Sequence, residues 1–458
     1  MTEQRIRAGL REVADSVPAR PGAFTVPARR GRRWLVPALA AAACALVLFG
    51  VFAWPTPRGT TAPGGAGATL PREFPGHSFL AGYLDSSPTG PAVAFYQQSY
   101  GHEDFPFAQA RVVGAYADTY RRLDIPAQAM VRLSPDGTRV AVGDPDGGSG
   151  VTLIDLATAH ERTWRVSSQA KTFPRAWSPD GRYVAVSVEP RSWQPGTLVG
   201  PVWLLDTGTG TSAILTEGSA PDSSGSADPT MVAFAPDGGH VAVQADRKLM
   251  VVGLDGRGAR ELPLPDGRTL AGPEAWSPDG RLLALGEAAP TAATTSAERN
   301  LRDLVFLDAT GSGAPLPGPV TVGTLPPAGF APPVLGWRDA DTFLAVVTDG
   351  TASDTGERSY WGFQGRTRAQ IVEVDLAGGP PRVLANFVTD PDGDLTSRDI
   401  QLATALVPAM GGRAGGGQDM GWWPAGIIFG VAGCLAVPVG LAALVGWALV
   451  RGRRRRAR

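Results

Sequence analysis

Four times the chain writes nearly the same five residues: Leu133-Ser134-Pro135-Asp136-Gly137, Trp177-Ser178-Pro179-Asp180-Gly181, Phe234-Ala235-Pro236-Asp237-Gly238 and Trp276-Ser277-Pro278-Asp279-Gly280, spaced 42 to 57 residues apart. Proline at the second place of a four-residue turn pre-sets φ. Aspartate tolerates the bridge geometry that follows, and glycine takes the left-handed position that starts the chain back. Each copy is therefore a hairpin turn. The apolar residue before it ends one strand facing inward, and an alternating run such as Val140-Ala141-Val142 or Tyr183-Val184-Ala185-Val186 begins the next. A third strand ends near an aspartate in Val151–Asp155, Val202–Asp206, Met250–Asp255 and Leu304–Asp308, and Ala213-Ile214-Leu215 reads as a short fourth. Four strands in about 40 residues is one propeller blade.

Two degenerate copies bracket the clear ones. Downstream, Leu335-Gly336-Trp337-Arg338-Asp339 keeps the tryptophan and loses the Pro-Asp-Gly, with a third strand at Ala369–Asp375. Upstream, Pro91–Tyr96 and Arg111–Tyr116 read as strands of a first blade. The expected fold is all-β: a six-bladed β-propeller, or a seven-bladed one if long inserts hide strands, with a β-sandwich as the rival. A closing strand is expected within 400–407, paired with the start of the ring. On these four phrases the chain resembles the TolB-like or WD-type β-propellers of bacteria across roughly residues 76 to 408. The resemblance implies a fold and a binding role; it names no ligand.

Two uncharged apolar runs flank the repeats. Trp34–Trp54 has 21 residues, enough for a hydrocarbon core of about 30 Å, and Trp422–Val450 is longer. Arg29, Arg30, Arg32 and Arg33 precede the first, while Arg451 and Arg453–Arg456 follow the second. The positive-inside rule puts both arginine clusters in the cytoplasm, so the propeller is expected on the extracytoplasmic side of the cell membrane, as part of the envelope. The expected organisation is a tail over 1–33, a transmembrane helix over 34–54 and a Pro/Gly linker over 55–75. The propeller follows over 76–408, then a Gly-rich linker over 409–421, a second transmembrane helix over 422–450 and a basic tail over 451–458. A closed ring joins its first and last strands, so both linkers are expected to leave from about the same place. The first run reads as an uncleaved anchor rather than a signal peptide, because its 33-residue n-region is long and no small-x-small site precedes Pro55. Gly426 and Gly430 have the spacing that lets helices approach closely, and Pro438 is expected to kink the second helix.

In the tail, Ile6, Leu10, Val13 and Val17 share one face of a short helix capped by Thr2. Leu10-Arg11-Glu12-Val13-Ala14-Asp15 weakly resembles the short heads of membrane proteins linked to sigma-factor control. That implies a cytoplasmic partner for this helix; a purely topogenic tail is the alternative. Cys44 and Cys434 both lie inside the apolar runs, as small apolar residues or as a bridge between neighbouring spans.

Chemistry is harder to find. No Gly-x-Ser-x-Gly occurs, which argues against a propeller-capped serine peptidase. His77, His102, His160 and His240 are scattered, none spaced as a metal pair, and no Walker loop is present. Asp390, Asp392 and Asp394, with Asp399 nearby, read as a turn rather than a calcium loop. A net charge of −1 gives no push toward nucleic acid. No catalytic residue, cofactor or metal is expected. The inserts 217–230, 287–300 and 349–368 are the candidate recognition loops, and Tyr360, Trp361 and Phe363 are the candidate partner contact, with packing over a blade edge as the alternative. The expected role is a non-catalytic scaffold or sensor for an envelope protein, peptide or glycan. The rivals are a transmembrane signalling protein and a lyase or glycosidase using central-channel carboxylates.

Overall fold

The structure, a computed structural model, describes residues 67–76, 81–100, 109–126, 129–167, 170–190, 200–217, 231–245, 248–287, 303–323, 334–349, 368–387 and 395–414. The apolar runs 34–54 and 422–450, the tail helix, both cysteines, His77, His102 and Asp390–Asp394 lie outside these residues. Among the described residues, no helix is long and apolar enough to cross a membrane.

Six antiparallel blades form the ring. Blade 2 is built from Val131–Leu133, Arg139–Gly143, Gly150–Asp155 and Glu161–Arg165 in consecutive order. Blades 3, 4 and 5 repeat this order from Ala170–Trp177, Met231–Phe234 and Arg268–Leu270. Blade 6 runs from Val334–Trp337 to Arg382–Phe387 and gains Glu73–Phe74 as a fifth, parallel strand. Blade 1 takes its innermost strand, Leu395–Leu402, from the far end of the chain and adds Ala92–Tyr100, Gln109–Gly114 and Tyr120–Leu123.

The repeated phrase does two jobs. Gly137, Gly181, Gly238 and Gly280 have φ between 67° and 73°, the left-handed position expected of them. Asp180 accepts the Ser178 hydroxyl at 2.6 Å and the Arg182 amide at 3.0 Å, and Asp136 and Asp279 repeat the pattern. The Ser178 hydroxyl, foremost, holds the Asp180 carboxyl below its ordinary range. The aromatic before the turn then clamps one blade to the last. Trp177 Nε1 donates to Arg132 O at 2.9 Å, Trp276 Nε1 to Ala233 O at 3.1 Å, and Trp337 Nε1 to Glu274 O at 3.0 Å. Each indole buries its ring between blades while its N–H finds a carbonyl on the preceding innermost strand. The aspartates ending the third strands cap a second set of turns, as when Asp206 accepts the amides of Gly208 and Thr209.

Ring closure differs from expectation in register. The closing strand is Leu395–Leu402, and Thr404–Ala409 is a 3-10 helix rather than strand. Pro408 denies that segment a ladder donor, and Val407 buries against blade 6 instead. Beyond the helix, Gly411–Arg413 pairs in parallel with Thr69–Pro71. Phe74, Tyr96 and Phe387 seal this seam between blades 6 and 1, with Phe74 stacked on Phe387 at 4.3 Å.

Strand direction sorts the connections onto two faces. Strand one to two and three to four turn on one face; strand two to three and the passage to the next blade turn on the other. The first, here the turn face, carries the short Pro-Asp-Gly and aspartate-capped turns. The described strands on either side of 101–108, 191–199, 218–230, 288–302, 324–333, 350–367 and 388–394 end on the opposite, insert face.

Candidate functional site

The innermost strands bring charged side chains to the ring axis. Arg132 of blade 2 donates from Nε to Arg175 O at 2.8 Å and from Nη1 to Asp399 Oδ1 at 3.1 Å, so it bridges blades 3 and 1. Asp399 sits in a bulge between Arg398 and Gln401 with φ 51°, a left-handed position that aspartate tolerates. Gln401 completes the junction: its Nε2 donates to Asp399 Oδ1 and Val131 O, and its Oε1 accepts the Leu133 amide at 2.8 Å. Blade 2 has leucine where blades 3, 5 and 6 have the clamping tryptophan. Gln401 supplies the missing inter-blade bond.

Arg175 and Glu274 enter from the same kind of backbone irregularity. Arg175 lies in a bulge between Pro174 and Ala176. Glu274 lies where the blade 5 ladder is interrupted, between the Leu270 pair and the Trp276 bridge. Arg175 donates to Ser187 Oγ at 2.6 Å and reaches Glu189 at 3.7 Å. Burial lowers its pKa to about 10, with Glu189 opposing and Arg132 adding to the shift, so it stays charged at neutral pH. Burial raises Glu189 despite this pairing, because the contact is long. Burial raises Glu274 to about 7, and Arg132 is the charge that opposes the shift. Blades 2 and 5 are opposite members of a ring of six, so this attraction acts across the axis. Glu274 keeps part of its surface open there.

This arrangement holds blades together and leaves one carboxyl able to change charge near neutrality. Among the described residues no group of three His, Cys, Asp or Glu side chains is placed to hold a metal ion. His160 is exposed on the turn face, and His240 pairs its Nδ1 with Asp237 at 3.0 Å in another exposed turn. A cavity of about 630 Å³ lies beside it between blades 4 and 5, lined by Trp276, Pro236, Pro278 and Arg260.

The candidate contact residues Tyr360, Trp361 and Phe363 lie outside the described residues. The strands flanking them end in the directly paired Asp349 and Arg368, which open on the insert face. Sequence reasoning did not find Arg132, Arg175, Glu274 or Gln401. One signal was present for two of them: Pro174-Arg175-Ala176-Trp177 and Pro273-Glu274-Ala275-Trp276 share a proline inside an apparent strand, which marks a bulge.

No family model matches the chain, and no curated protein matches it. Among solved structures, it is similar to TolB from Acinetobacter baumannii, at 12% identity and a TM-score of 0.45 over 68% of this chain and 67% of that one. It is also similar to a putative TolB from Agrobacterium tumefaciens, at 15% identity and a TM-score of 0.37 over 68% of this chain and 99% of that one. An oligogalacturonate lyase in complex with manganese gives 13% identity and a TM-score of 0.40 over 62% of this chain and 72% of that one. The count of six blades rests on the strand order of the chain itself.

Proposed function

We propose that the protein is a membrane-anchored, non-catalytic propeller that binds a protein, peptide or glycan partner on the extracytoplasmic side, with its insert face as the recognition surface. One observation carries this reading. The described chain enters and leaves through a single three-residue parallel pair, Thr69–Pro71 with Gly411–Arg413, which starts at the turn face, while the strands flanking the long connections end on the other. Two spans at 34–54 and 422–450 would tether such a ring to the bilayer and leave the inserts for a partner. The non-catalytic part is supported by the axis, where Arg132, Asp399 and Gln401 are committed to inter-blade bonds.

The test is site-specific photo-crosslinking in native membranes. A photoreactive residue at Trp361 gives a reproducible adduct, and one at Thr158 on the turn face does not. Equal yields from both positions, or none from Trp361, refute the assignment of the recognition face.

A further inference from the structure

Beside the seam, the turn face opens into a groove of about 540 Å³ whose lining includes Arg72, Arg338, Arg382, Val383, Gly411 and Gly412. Three arginines line it, and two of them pair with one carboxylate. Glu373 takes Arg338 Nε at 2.8 Å and Arg382 Nη2 at 2.6 Å, and Arg338 Nη1 donates to Met410 O at 3.1 Å. Arg72 is exposed and has no carboxylate partner among the described residues. Three arginines against one carboxylate leave the groove an excess of positive charge, and the Arg72 guanidinium offers a planar fork suited to a phosphate. Val383, 48% exposed, adds an apolar edge next to the arginines. Gly411 and Gly412 contribute no side chain to fill the space between.

Position names the occupant. The parallel pair ends at Arg413, and eight residues separate it from Trp422. Fully extended, they reach at most ~29 Å, so the end of the pair beside the groove stays within about that distance of the bilayer surface if 422–450 crosses it. We infer that the groove of Arg72, Arg338 and Arg382 binds the phosphate of an anionic phospholipid headgroup and seats the turn face on the membrane. This rests on the reading of the two flanking runs as spans. A seated turn face would point the insert face away from the bilayer.

The experiment is hydrogen exchange on the full chain reconstituted in nanodiscs of phosphatidylcholine alone or mixed with phosphatidylglycerol. Phosphatidylglycerol is expected to slow exchange of the amides in 382–387 and 411–413 about tenfold, leaving 240–245 unchanged. The double variant R72Q/R382Q changes two exposed side chains, keeps the melting temperature and loses the effect. Equal exchange in both lipids overturns the inference. So does protection that survives in the double variant, or that inorganic phosphate reproduces in phosphatidylcholine discs. A chain that does not enter the discs refutes the spans and the inference together; one that enters without a phosphatidylglycerol effect refutes the groove alone.

Discussion

The clamp between blades makes a quantitative claim at Trp276. Its ring is 8% exposed, and its N–H reaches the Ala233 carbonyl on the blade before. Trp276→Phe keeps an aromatic in the slot and deletes the donor. A buried hydrogen bond lost this way costs about 1 to 2 kcal/mol, and the smaller ring adds roughly 1 kcal/mol of lost packing. Trp203 is the internal control. It is half-buried on the third strand of blade 3, and its indole nitrogen has no acceptor among the described residues. Trp203→Phe therefore removes ring size together with an unpaired buried donor, and should cost at most about 1 kcal/mol. The two variants should differ by about 1.5 kcal/mol, or some 3 °C of melting temperature in a domain of this size. Differential scanning calorimetry of the detergent-solubilised full chain measures the difference. Equal shifts, or a larger loss at Trp203, would show that the tryptophans act by bulk alone and not as clamps.

Three further outcomes follow from particular contacts. Glu274 has a folded pKa of about 7 against an ordinary 4.5, so the native state binds the extra proton between those values, and stability falls as pH rises through that window. Glu274→Gln should flatten this slope and gain up to ~3 kcal/mol over the wild type at pH 8, read from melting curves at several pH values; a parallel pair of curves would contradict it. An added Cβ at Gly137 meets the Ala92 carbonyl, whereas one at Gly238 meets nothing within 4 Å, and both glycines have positive φ. Gly238→Ala should cost about 1 kcal/mol from the left-handed backbone alone, and Gly137→Ala several times more, by the same calorimetry. Gln401→Ala removes two of the bonds that join blade 1 to blade 2 and should cost ~2 to 3 kcal/mol; a loss below ~0.5 kcal/mol would mean the ring closes without them.

The blades were legible in the sequence because the Pro-Asp-Gly turn is a local device: its φ requirements and its aspartate contacts involve neighbours in the chain. The degenerate sixth blade was legible from Trp337 and the alternating strand after it. Closure was only half legible. Isoleucine, leucine and valine in 400–407 give the same apolar signal whether the segment is strand or 3-10 helix, and Pro408 decides the matter through a missing donor. The axis was not legible. Arg132 and Asp399 meet across 267 positions of sequence, and Arg175 turns inward through a bulge that no periodicity records. The purpose of the tryptophan was also hidden, since its acceptor lies on another blade.

Serine 224, inside the 217–230 insert, can be changed to cysteine in a chain whose Cys44 and Cys434 are alanine, and then treated with a membrane-impermeant maleimide in intact cells. The account predicts labelling of Ser224→Cys before the cells are opened, with an added cysteine in the 1–33 tail reacting only afterwards. Labelling at position 224 that requires opened cells would contradict it.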